Sequence, residues 1–159
     1  MVISEVLKLW DKDEMIVCLE YLLDKKRSDI LLNPKEEIDN LTLNKIFKII
    51  EKRKESYPLQ YLIGKWAFYD FEVFVEPGVL IPRPETELLV EEAINSIDDG
   101  VKVLEIGSGT GIISIALAKH KKAEVVAVDI SEEAIKLGKK NAIYNNVNID
   151  FRLGNLFNP

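Results

Sequence analysis

The sequence predicts an α/β protein: an all-helical amino-terminal domain, a β-hairpin linker, then the first half of a Rossmann-like parallel sheet. Three observations carry this reading. Apolar residues recur at i, i+4 through the first fifty positions, aromatic residues then alternate at period two, and beyond Gly100 short apolar strands alternate with helical stripes.

In the helical third, Val2, Val6 and Trp10 with Ile3 and Leu7 form one stripe. Met15, Ile16, Leu19, Leu22 and Leu23 form a second, and Leu43, Ile46, Phe47 and Ile50 a third. Three such helices make a small bundle, with the polar run Asp24 to Asp29 and the pair Asn33, Pro34 read as turns. From about Ser56 the period changes to two. Trp66 and Phe68, then Phe71, Val73 and Val75, then Val79 and Ile81 suggest a hairpin or short strands. A helix is predicted to start near Pro84, whose fixed φ suits a first helical position, with Glu85 and Glu87 in the first turn and Leu89, Ala93 and Ile97 as its buried stripe. The expected domains are 1–56, 57–83 and 84–159.

Strands are predicted over 101–106, 125–128 and 149–153, and helices over 112–121 and from Ser131, as N-cap, to about Tyr144. Alternation of this kind implies parallel strands joined by helical crossovers.

Composition narrows the chemistry. No stretch approaches the roughly 18 uninterrupted apolar residues that a membrane helix needs, so a cytoplasmic protein is expected. Cys18 and His120 stand alone, which excludes disulfide frameworks and cysteine zinc sites and disfavours Cys/His or Ser/His/Asp catalysis. Cys18 reads as a small core residue, and the net charge of −6 disfavours direct nucleic-acid binding.

The run Glu105, Ile106, Gly107, Ser108, Gly109, Thr110, Gly111 falls where the first parallel strand turns into its helix. Glycine there permits a tight turn and close approach of a ligand to the backbone. A dinucleotide fingerprint would need a glycine at the sixth position, which is Ile112, and no Gly-Lys-Ser/Thr follows for an ATP loop. An acid followed by Gly-x-Gly-x-Gly resembles the first motif of class I S-adenosylmethionine-dependent methyltransferases. Asp129, at the end of the second strand, stands where those proteins carry the acid for the ribose hydroxyls. That ligand has no phosphates for the carboxylates to repel, and its sulfonium and ammonium charges tolerate acidic neighbours.

Tyr57 to Gly64, Phe68, and the run Val79, Leu80, Ile81, Pro82, Arg83, Pro84, Glu85, Thr86, Glu87 resemble the linker signature of the HemK/PrmC family, methyltransferases that modify the glutamine of the Gly-Gly-Gln loop in peptide-chain release factors. The resemblance implies S-adenosyl-L-methionine as cofactor and a release factor as partner, docked by the helical domain. It places Glu105, Gly107, Ser108, Gly109, Thr110, Gly111 and Asp129 around the methionine and ribose, and Asn155 and Leu156 by the adenine. Asn155 departs from the Asp of many relatives, although an amide still donates and accepts there. Pro82, Arg83, Pro84, Glu85 and Thr86 are expected near cofactor and substrate. The catalytic Asn-Pro-Pro-Tyr of this family does not occur in these residues, and Asn158, Pro159 reads as a loop rather than its equivalent. The expectation is therefore a fragment of a longer protein, inactive alone, prone to self-association or marginally stable because its first parallel strand is an edge. Two alternative readings are an amino-methyltransferase acting on nucleic acid and a non-catalytic cofactor- or partner-binding fragment.

Overall fold

A computed structural model describes residues 1–156, so the Asn158, Pro159 loop reading lies outside the described residues. The chain forms two compact units, Met1–Ile63 and Gly64–Pro159.

The first unit is helical: α1 (Ile3–Val6), α2 (Lys12–Leu23), α3 (Arg27–Leu32), α4 (Asn40–Lys54) and α5 (Leu59–Ile63). Side-chain caps set the starts of the two long helices. The Asp11 carboxylate accepts from the N–H groups of Asp13 and Glu14, and Asp39 accepts from Thr42 N–H at 3.0 Å. Ile3, Met15, Leu19, Ile30 and Ile46 are fully buried at the centre. One polar knot joins α2 to the end of α4. The Arg53 guanidinium grips both oxygens of Glu14, Trp10 Nε1 donates to Glu14 Oε2 at 2.9 Å, and Arg53 Nη1 donates to the Tyr57 carbonyl at 2.7 Å. The Arg53 hydrogen bonds hold the Glu14 carboxyl below its ordinary pKa.

Three sequence expectations change here. The Val2–Trp10 stripe is helical only over α1, after which Lys8 and Leu9 close tighter i→i+3 turns and Trp10 turns to Glu14. The polar run read as a turn ends instead in α3, because burial of Ile30 outweighs the polar residues before it. Phe47 is 43% exposed, and Ile49 takes its place in the core.

The second unit opens with a hairpin, β1 (Lys65–Phe68) against β2 (Phe71–Phe74), joined through Tyr69 and Asp70 with Tyr69 at φ +55°. Phe71, Val73 and Val75 face inward, as the period predicted. Val79 and Ile81 join no strand; they belong to a strap of irregular chain, residues 75–83, that leads to α6 (Glu85–Ser96). The buried position on α6 is Val90, with Ala93, Ile94 and Ile97 beside it, whereas Leu89 is 56% exposed. The stripe begins one residue later than predicted, because the helix packs by the Val90 side.

The remainder is β3 (Lys102–Ile106), α7 (Ile112–Lys121), β4 (Glu124–Asp129), α8 (Glu132–Tyr144) and β5 (Asp150–Leu153), with Ser131 capping α8. The strands are parallel in the order β3-β4-β5. Successive right-handed crossovers in one direction lay their helices on the same face: α7 packs on β4, and α8 packs on β4 and β5. Register places Leu104 beside Val126 and Ile106 beside Val128 on the opposite face, where Leu104, Val126 and Val128 line a hollow of about 860 Å³. Two glycines allow close packing on the helical face. A Cβ on Gly138 would lie 2.5 Å from Phe151 Cε1, and one on Gly111 would lie 3.1 Å from Phe151 Cζ. No helix among the described residues is long and apolar enough to cross a membrane.

Candidate functional site

Strand β3 ends in Glu105 and Ile106, and the chain then folds back over the tip of β4. Gly107 and Ser108 donate their N–H groups to the Val128 carbonyl at 2.8 and 3.2 Å, and Gly111 N–H closes the turn on the Ser108 carbonyl at 2.7 Å. Gly107 and Gly111 sit at φ +78° and +81°, a region in which only glycine is unstrained. A Cβ at Gly107 would meet no atom within 4 Å, so the loop backbone there faces open space.

Asp129, at the end of β4, is held by both carboxylate oxygens. Gly109 N–H donates to Oδ2 at 2.8 Å and Ser131 N–H donates to Oδ1 at 2.9 Å. A carboxylate has roughly four acceptor positions, so about two remain for a ligand's hydroxyl groups. Gly154 N–H donates to the Asp129 carbonyl at 3.0 Å, which brings the chain after β5 alongside this acid.

Glu105 lies across the same cleft. Its Oε2 accepts from Ser114 N–H at 3.0 Å and from the Ser114 hydroxyl. Burial raises its pKa to about 7, against the lowering effect of the Ser114 hydrogen bonds, and the Asp129 charge adds to the rise. The first turn of α7, where other folds receive a phosphate, is here already occupied by the Glu105 carboxyl group.

These groups line a cleft of about 370 Å³ whose other wall is the strap: Gly78 to Arg83 and Thr86 face Glu105, the Gly107–Thr110 backbone, Asp129 and Ser131. Of the residues expected near substrate, Pro82, Arg83 and Thr86 line the cleft, while Pro84 and Glu85 lie outside it, exposed at the start of α6. Asn155 is exposed and not in its wall, and Leu156 lines the hollow on the open face of the sheet. Within the cleft wall the Ser108 hydroxyl is buried with no hydrogen-bond partner among the described residues. An unsatisfied buried hydroxyl costs about 1–3 kcal/mol, a cost that a ligand's polar group would remove. Ser114 and Asn141 belong to this region and were not singled out from sequence. A polar residue on the buried stripe of a helix, as Asn141 is on α8, is the signal that could have found them. Among the described residues, no group of His, Cys, Asp and Glu could hold a metal ion.

Comparison with known proteins agrees with both units. Residues 11–64 match the PrmC N-terminal domain, and residues 97–158 match a methyltransferase domain. A release factor glutamine methyltransferase of Dictyoglomus turgidum is 44% identical over 158 residues, covering 94% of this chain and 54% of that protein. Over both units the chain is similar to the HemK/PrmC family. Proteins of the same name from Flavobacterium psychrophilum and Aliivibrio fischeri are 39% and 36% identical, covering 85% and 90% of this chain. It spans about half the length of these HemK/PrmC relatives, 54%, 50% and 51% respectively. Both the linker signature and the glycine loop fall within the shared length.

Proposed function

We propose that the cleft between the glycine loop and the strap seats S-adenosyl-L-methionine, and that the activity served is methyl transfer to the glutamine N5 of the Gly-Gly-Gln loop of a release factor in the cytoplasm. The observation that carries the cofactor reading is Asp129, anchored by two backbone N–H groups with acceptor capacity to spare, facing a glycine backbone and the buried Ser108 hydroxyl. In this reading Asp129 takes the ribose hydroxyls and Gly107–Gly111 lies along the methionine and ribose. Glu105 faces the cationic end, and its negative form is favoured once a positive charge sits beside it. For Asn155 and Leu156 to flank the adenine, the chain after Gly154 must turn toward the cleft, because neither residue lines it here. Pro82, Arg83 and Thr86 lie toward the transferred methyl group, with Pro84 and Glu85 at the cleft mouth.

The names of the relatives support a release factor as the substrate. Chemically, the sulfonium–carbon bond breaks as a nitrogen–carbon bond forms, and the amide nitrogen gives up a proton. An amide lone pair is delocalised, so the amide must be held by acceptors that align it with the methyl carbon. The sequence has no Asn-Pro-Pro-Tyr for that task, so these 159 residues are expected to bind cofactor without turnover.

Isothermal titration with S-adenosyl-L-methionine tests the reading. Saturable heat is expected, with at least a tenfold weaker Kd for Asp129→Ala, the loss of about 1.4 kcal/mol or more. Absence of saturable heat, or an unchanged Kd in the variant, overturns it. A radiolabel assay on a release factor then reads transfer separately.

A further inference from the structure

We propose that Asn141 is a positioning residue for the cleft: its side-chain amide ties the root of the strap and the glycine loop to α8, fixing the spacing of the two walls. This rests on the cofactor reading above for its consequence, though the tie itself does not. Asn141 is 0% exposed, and its side-chain amide bonds three backbone groups of two distant segments. Its Oδ1 accepts from Phe74 N–H at 2.7 Å, and its Nδ2 donates to the Phe74 carbonyl at 3.1 Å and to the Thr110 carbonyl at 2.9 Å. Phe74 is the last residue of β2, directly before the strap, and Thr110 stands between two glycines of the loop.

Only an amide can accept from one backbone N–H and donate twice from the same planar group. The hydrogen bonds also continue beyond it. Gly109, next to Thr110, donates to Asp129, so strap, helix, loop and ribose acid are joined by consecutive directional bonds. The strap is referenced to the same helix by packing, because Val79 buries against Ala134 and Leu137 of α8. A Cβ on Gly109 would stand 4.0 Å from Val79 Cγ1, so a small displacement of the strap would close or widen the cleft. One turn further on, Asn145 Nδ2 donates to the Glu72 carbonyl and steadies the same strand.

A purely structural asparagine would alter stability and nothing else, so the test compares two kinds of loss. Asn141→Ala removes the tie, and Asn141→Asp keeps the volume and the acceptor while turning lone pairs toward two carbonyl oxygens. Leu117→Ala is the control: Leu117 is buried with Ala123 and Val125, away from the cleft. At a temperature where all are folded, S-adenosyl-L-methionine is expected to bind either Asn141 variant at least tenfold more weakly than wild type, and Leu117→Ala within twofold. Equal Kd shifts in the Asn141 variants and the control, or Asn141 variants within twofold of wild type, overturn the proposal. Hydrogen exchange on the unsubstituted protein decides the matter if neither Asn141 variant folds. The amides of 75–83 and 107–111 are expected to open together, and independent opening rates overturn the tie. A wild-type protein that shows no saturable heat strikes the cofactor reading alone, because the exchange measurement needs no ligand.

Discussion

The two units bury different things. In Met1–Ile63 the fully buried side chains are almost all apolar, and the Glu14–Arg53 knot sits part-buried at the margin. In Gly64–Pro159 the apolar core is divided among smaller clusters, and Ser108, Thr110, Ser114 and Asn141 are buried around the cleft. The difference teaches where function is stored. Burial of methylene groups without polar cost stabilises a fold, whereas a half-satisfied polar site lowers stability locally and is retained for what it binds.

The largest effect should separate the units outright. Ile46→Ala, at a fully buried position of α4, is expected to cost about 3 kcal/mol and, by hydrogen exchange, to loosen the first unit while the Kd of the cleft stays unchanged. Glu105→Gln should do the reverse. A carboxyl raised from 4.5 to about 7 binds more protons folded than unfolded, so its presence lowers stability progressively as pH rises from about 4.5 to 7. At pH 8 the neutral amide is expected to stabilise the second unit by about 3 kcal/mol and to flatten its melting temperature across that window. A lower melting temperature at pH 8 would place the strain elsewhere. Gly138→Ala, forced against the buried Phe151 ring, is expected to cost about 1–3 kcal/mol of the second unit's stability in denaturant unfolding. Arg53→Ala leaves Glu14 without its guanidinium and should cost the first unit about 1 kcal/mol, since the pair is only part-buried. Smallest is Cys18, whose thiol burial pushes up to about 12. It should resist alkylation at pH 8 until the first unit is unfolded, and rapid labelling of the native protein would show that unit to be open.

Legibility differed along the chain for physical reasons. The parallel strands and their helices were readable almost to the residue, because β3, β4 and β5 are short apolar runs, and Ser131 caps α8 through a hydrogen bond to Ala134 N–H as its position predicts. The loop and Asp129 were readable because glycine spacing and a terminal acid are local features. Short α3 and α5 were not, since six and five residues hold too few turns for a period to show and depend on burial of Ile30 and Leu59. The choice of Val90 over Leu89 on α6 was invisible too, because both are apolar neighbours and only the packing partner decides between them.

The order of strands and helices, the sharp bend after β3 and the presence of two acids at strand tips came from the sequence by itself, since each depends on residues close together in the chain. Only the tertiary structure decided that burial raises the Glu105 pKa, that Ser108 lacks a partner among the described residues, and that Asn141 joins Phe74 to Thr110 across 67 and 31 residues of chain. Those properties arise from solvent exclusion and from directional bonds between distant segments, neither of which exists until the sheet and its helices have packed.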